Sequence, residues 1–221
     1  MKLGNVAFAI ALFSSARASS IGAQPVSATI DRAVAAWSKA STARATFDQT
    51  ITNSITGGSA TSHGDFIQQR PDRLAIRFTE DGGRVVSDGK YLWVYMPTSA
   101  PGQVIKRLTN EDDGSAPIDI TGQFLDEPRS KYDITDAGRD TTGDPARMLI
   151  LVPKSGQPAP FVRAKVWVSD KDALIREFEV VEKSGITRHV RLTSLALNVP
   201  VEKSAFTFKI PKGVRVVDQT K

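Results

Sequence analysis

From Ser41 onward the side chains of this chain alternate with a period of two, and the alternation breaks at tight turn-formers: Gly57-Gly58, Asp81-Gly82, Asp88-Gly89 and Ser184-Gly185. A chain written this way folds as consecutive short antiparallel strands. The pattern predicts strands over Ala45–Thr52, Ser62–Arg70, Arg73–Thr79, Arg84–Ser87, Tyr91–Met96 and Gln103–Leu108. It predicts further ones over Lys131–Asp136, Arg147–Pro153, Val162–Ser169, Ile175–Glu182 and Thr187–Leu197. About eleven strands are too many for a flat open sheet, so the fold is mainly β and curls into a barrel or partial barrel.

Two segments depart from the alternation. Ile30, Val34 and Trp37, with Ala33 beside them, fall on one face of an amphipathic helix that Ser27 or Thr29 can cap. Within Asn110–Pro128, Ile118, Gly122 and Leu125 fit a short amphipathic helix, and Ile120 and Phe124 widen its apolar stripe.

The stretch SDGKYLWVYMP (Ser87–Pro97) raises the question of which face is inside, because both its faces are apolar. Two-residue turns at Asp88-Gly89 and Asp81-Gly82 would pair Val85 with Leu92, Arg84 with Trp93 and Phe78 with Val85. One face then carries Leu74, Ile76, Phe78, Val85, Leu92, Val94 and Met96, with no polar member. The other mixes Arg73, Ala75, Arg77, Thr79, Arg84 and Val86 with Tyr91, Trp93 and Tyr95. Arginine over tryptophan suits a wet surface, so this second face is expected outside. The aliphatic face is the concave interior: either an ordinary packed core or, since one helix and one short segment must cover it, the wall of a cavity.

The chain has 221 residues, 40% of them hydrophobic, enough for one domain. Lys2, the apolar run Val6–Phe13 and the small residues after it have the layout of a secretory signal over residues 1–23. Cleavage would follow Ala18 or Ala23, leaving 24–221 as a single domain. With no other hydrophobic segment and no cysteine, the mature protein is expected to be soluble, exported and unanchored. The net charge of +5 is scattered without like-charge runs, which argues against nucleic acid as a partner.

Signals for catalysis are weak. His63 and His189 lack metal-ligand spacing, and there is no nucleophile elbow and no phosphate-binding glycine loop. Asp112 with Asp113, and Asp126 with Glu127, read as solvated loop charges. No enzyme activity, cofactor or metal is expected.

Four blocks in order, ATFDQT, QRPDRLAIRF, VVSDGKYLWVY and AFTFKIPKGVRVVDQ, resemble the LolA family of periplasmic outer-membrane lipoprotein carriers. The resemblance implies an unclosed antiparallel barrel lidded by helices, and a monomer that takes lipoprotein acyl chains into a hydrophobic cavity. Its implied partners are an inner-membrane lipoprotein-releasing ABC transporter and an outer-membrane lipoprotein acceptor. The cavity would be lined by Phe47, Phe66, Leu74, Ile76, Phe78, Val85, Leu92, Val94 and Met96, under a lid carrying Ile118, Ile120, Phe124 and Leu125. The family's Arg-Pro motif matches Arg70-Pro71, whose arginine would latch the lid through helix backbone carbonyls. Two features depart from the family pattern: Leu74 stands where phenylalanine is frequent, and the stretch NEDDGSAPID is more polar than a typical lid. A carrier or sensor of another lipid, such as a glycolipid, is the alternative on the same fold.

Overall fold

The computed structural model describes residues 26–109 and 119–220. The signal segment with both candidate cleavage sites, Asp112, Asp113 and Ile118 lie outside the described residues.

Helix α1 (Val26–Ser38) precedes strands β1 (Thr42–Asn53), β2 (Ser59–Gln69), β3 (Arg73–Phe78), β4 (Arg84–Asp88), β5 (Tyr91–Tyr95) and β6 (Gln103–Leu108). A single 3₁₀ turn (Gly122–Phe124) and a one-turn helix α2 (Pro128–Lys131) lead into β7 (Tyr132–Asp140), β8 (Ala146–Pro153), β9 (Phe161–Ser169), β10 (Ile175–Glu182) and β11 (Ile186–Leu192). Short strands β12 (Ala196–Leu197) and β13 (Arg215–Asp218) follow, with a 3₁₀ turn at Lys203–Phe206 between them.

All belong to one 13-stranded sheet in the order β13-β6-β5-β4-β3-β2-β1-β11-β10-β9-β8-β7, with β12 pairing β1. Its two ends, β13 and β7, do not pair with each other. The barrel is unclosed, as the sequence led us to expect.

Ile30, Ala33 and Trp37 are buried, so α1 presses its apolar stripe into the concave side. There it joins Phe124, Leu149, Leu151, Phe161, Val166, Ile175 and Phe178 in the main core. The expected caps do not act as such: Ser27 and Thr29 lie inside the helix.

The hairpin registers differ from those expected, by two residues each. Ser87 pairs with Leu92 and Val85 with Val94, and on the other side Ile76 pairs with Val85. The reason is local: the Asp88 carboxylate accepts from the backbone N–H groups of Lys90 and Tyr91 at 2.9 and 2.8 Å, which closes a wider turn than Asp88-Gly89 alone. Asp81 does the same for Gly83 at 2.8 Å. A slip of two keeps every side chain on its face, so the division into concave and convex sets stands.

The convex face is not open to water as expected. Ala75 and Val86 are 1% and 3% exposed, covered by Phe206 with Val201, Ala205 and Phe208 of the C-terminal segment. Trp93 stacks on Phe208 with ring centroids 5.6 Å apart. The cations over the aromatics here are lysines, Lys106 (4.0 Å from Tyr91 and 5.7 Å from Trp93) and Lys90 (5.0 Å from Tyr91), while Arg84 pairs with Tyr95 and Arg77. The same segment ends as β13, parallel to β6, a strand the alternation did not predict.

Of the expected helix around Ile118–Leu125, the described residues 119–125 contain the 3₁₀ turn Gly122–Phe124, and the expected strand Thr187–Leu197 breaks after Leu192. Thr193 and Ser194 meet the Thr46 hydroxyl at this break, at 2.5 and 2.9 Å, and β12 resumes against the start of β1.

Candidate functional site

Beside the packed core, between β1–β6 and β9–β11, the concave face leaves a cavity of about 490 Å³. Phe47, Phe66, Leu74, Ile76, Phe78, Val85, Leu92, Val94 and Met96 all line it. They come from five consecutive strands, and each is there because alternation puts every second side chain on the concave face. The opposite wall, which the sequence reading did not assign, is Phe161, Phe178, Val180, Val190 and Leu192. The same parity rule applied to β10 and β11 would have found most of it.

Phe47 reaches its place across Gly64. A Cβ at Gly64 would lie 2.8 Å from the Phe47 ring and 2.2 Å from the Arg77 carbonyl oxygen. The ring then meets Phe78 edge-on at 5.7 Å.

Of the lid residues, Ile120 lines the cavity together with Thr121 and Gln123. Phe124 and Leu125 are instead buried in the core, with Phe124 5.8 Å from Phe161 and 5.2 Å from Phe178. They anchor the segment rather than form its inner surface. The Tyr132 hydroxyl donates to the Gln123 carbonyl at 2.8 Å, tying the lid to β7.

Arg70 follows the end of β2, where Pro71 stops the strand, and its side chain stands at the rim. One guanidinium nitrogen donates to the carbonyls of Trp37 and Ala40 at 3.1 and 3.2 Å. Trp37 is in the last turn of α1, where its carbonyl also accepts the Ala40 N–H at 2.9 Å, and Ala40 lies two residues past the helix. The Nε lies 3.2 Å from the Asp119 carboxylate. Its carbonyl partners thus lie in the last turn of α1 and just past it, not in the expected lid segment. That segment is reached through Asp119, which also accepts from the Trp37 indole at 3.2 Å and from the Gly122 N–H at 2.7 Å.

Strand pairing gives the cavity two ends. At one end Ala43, Gln68, Leu74, Ser87, Leu92 and Arg107 form a continuous ladder beside the Arg70 rim. At the other, Ile51 pairs with Arg188, which pairs with Val180. Ala43 to Ile51 is eight steps along β1, about 26 Å at ~3.3 Å per residue. The far end is polar: Arg188 donates to Gln49 at 2.9 Å and to Glu182 at 3.2 Å, and Gln49 donates to Ser62 at 3.0 Å.

The two histidines sit elsewhere, each against one carboxylate: His63 with Asp48 at 2.7 Å and His189 with Glu177 at 2.8 Å. Asp126 pairs with Lys131 at the surface. Among the described residues no helix is long and apolar enough to cross a membrane.

Comparison with known proteins agrees with this architecture. The family model described as outer membrane lipoprotein carrier protein LolA matches residues 38–209. An outer-membrane lipoprotein carrier protein from Salmonella paratyphi A is 30% identical over 217 residues, 98% of each chain, and its Salmonella typhi counterpart is equally similar. Among solved structures, an uncharacterized conserved protein from Thermus thermophilus superposes with a TM-score of 0.54 at 12% identity, over 89% of this chain and 100% of that one. The Arg70-Pro71 rim, the lidded concave sheet and a sequence match running through both place this chain in the LolA family of outer membrane lipoprotein carrier proteins.

Proposed function

We propose that this protein is a periplasmic carrier that takes up the acyl chains of lipoproteins released from the inner membrane and delivers them to an outer-membrane acceptor. The observation that carries the reading is the apolar cavity with a closable seam: about 490 Å³ walled by aliphatic and aromatic side chains, with Arg70 bridging the end of α1 and the lid segment. Family membership supports the same cargo, and the charged-then-apolar layout of residues 1–23 supports export.

The physical need is plain. Each acyl CH₂ in water costs about 0.8 kcal/mol, so an anchor of two or three chains cannot cross an aqueous compartment uncovered. A carrier must cover the chains and still release them. A seam of hydrogen bonds that breaks on loading and re-forms on unloading supplies that reversibility. An ABC transporter that releases lipoproteins and an outer-membrane acceptor are the partners this cycle requires, with the carrier acting as a monomer and without chemistry of its own.

Mass spectrometry of material co-purified from periplasm tests the reading. Mature lipoproteins in stoichiometric amount are expected. Recovery of glycolipids without lipoprotein would favour a carrier of that other class.

A further inference from the structure

At the Arg188 end the wall of the cavity turns polar across three neighbouring strands, β10, β11 and β1. Val190 and Leu192 share a face of β11 with Arg188, so an aliphatic residue at 188 would simply continue the lining. A guanidinium there is costly unless hydrogen bonds satisfy it. Arg188 spends two N–H groups on Gln49 and Glu182, and a guanidinium has five. Gln49, only 9% exposed, gives one amide N–H to Ser62 and has a second. Both residues line the cavity, and the Arg188 side chain is 35% exposed, so donors look both into the cavity and out to water. At the opposite end, Arg70 turns Nη1 and Nε to the Trp37 and Ala40 carbonyls and to Asp119 and does not line the cavity, while Arg107, which does, has an interaction partner of its own.

This asymmetry orients an amphiphile. We propose that Arg188 and Gln49 form a seat for the polar junction of the cargo, donating to the carbonyl oxygens of its acyl esters, so that the hydrocarbon chains run from this end toward the Arg70 rim. The ligand class is an acyl ester of a glyceryl or similar polyol, and the polar remainder of the cargo leaves the barrel at the Arg188 end. Glu182 holds the guanidinium in place and offsets its charge, which suits an uncharged ester better than a phosphate. The inference rests on the carrier reading above and adds to it the direction in which cargo lies.

Two probes separate the inference from that reading: a synthetic diacylated S-glyceryl lipopeptide, which carries the esters, and the uncharged fluorophore N-phenyl-1-naphthylamine, which does not. Arg188→Met and Gln49→Leu should each weaken lipopeptide binding about tenfold, whereas the fluorophore, which meets only a more apolar wall, should bind at least as well as to wild type. Equal loss of both probes, or loss of neither, overturns the seat. Wild-type protein that binds neither probe overturns the carrier reading and the seat with it. A measurement on wild-type protein covers the case of a misfolded variant. A nitroxide on the peptide end of the lipopeptide should broaden the backbone amide signals of Gln49 and Arg188. Broadening around Arg70 and Asp119 instead would reverse the orientation and overturn the proposal.

Discussion

Arg70 and Asp119 meet at 3.2 Å across the seam between the barrel rim and the lid segment, and the same guanidinium holds the carbonyls of Trp37, in the last turn of α1, and of Ala40 just beyond it. One side chain therefore ties both covering elements to the end of β2. In the proposed carrier cycle, opening separates these groups, so their contribution would act on the closed form.

Arg70→Leu is expected to keep loading and to hold cargo more tightly, since loading no longer breaks the charge-assisted bonds, a net effect of about 1.5–3 kcal/mol. Delivery should fail, because re-forming the seam no longer helps expel the chains. A transfer assay from loaded carrier to acceptor measures this. A folded variant that neither loads nor holds would assign Arg70 to cargo binding instead.

Asp119→Asn separates the two halves of the latch. It neutralises the carboxylate that faces Nε and the Trp37 indole, and leaves the Arg70 bonds to the Trp37 and Ala40 carbonyls in place. Hydrogen exchange should quicken at Gly122–Leu125 and stay unchanged in α1. Equal quickening in both would mean that the two elements open as one unit.

Val94→Glu places a carboxylate in the cavity wall among Ile76, Val85 and Leu92, where an unpaired charge is costly. Loss of N-phenyl-1-naphthylamine binding is the expected result. Phe206→Ala acts on the convex face: this side chain is 3% exposed, and its loss should cost about 3–5 kcal/mol if the surroundings do not collapse. Limited proteolysis should then cut the C-terminal segment first, with fluorophore binding retained. Binding loss in Phe206→Ala with the segment still protected would show that the two faces are coupled.

Hydrogen bonding by His189, and then by Arg191, holds the Glu177 carboxyl below its ordinary value of 4.5. A carboxyl with a lowered folded value stabilises the fold above its unfolded value, and that contribution disappears as pH falls through the folded one. Glu177→Gln should thus be less stable than wild type near neutrality, by about 1 kcal/mol, with the gap closing in acid. Urea melts at several pH values read this directly. A gap that persists in acid would trace the loss to packing.

The strands and their two faces follow from the amino-acid order alone. Alternation is a property of each strand alone, and parity survives a register slip of two, so Leu74, Ile76, Phe78, Val85, Leu92, Val94 and Met96 were legible as one surface although both hairpin turns were read too short. Arg70 was legible as a rim residue because Pro71 ends its strand. Only the tertiary structure decided what those faces meet. That Phe206 and Phe208 cover the convex aromatics, and that β13 joins β6 in parallel, depends on a return of the chain across more than a hundred residues, which no local period records. The partners of Arg70 were hidden for the same reason: a guanidinium satisfies any nearby carbonyl or carboxylate, and the fold alone brought Trp37, Ala40 and Asp119 to it. Arg188 and Gln49 look like ordinary strand residues in sequence, and become the polar end of a cavity only when β1 and β11 lie side by side.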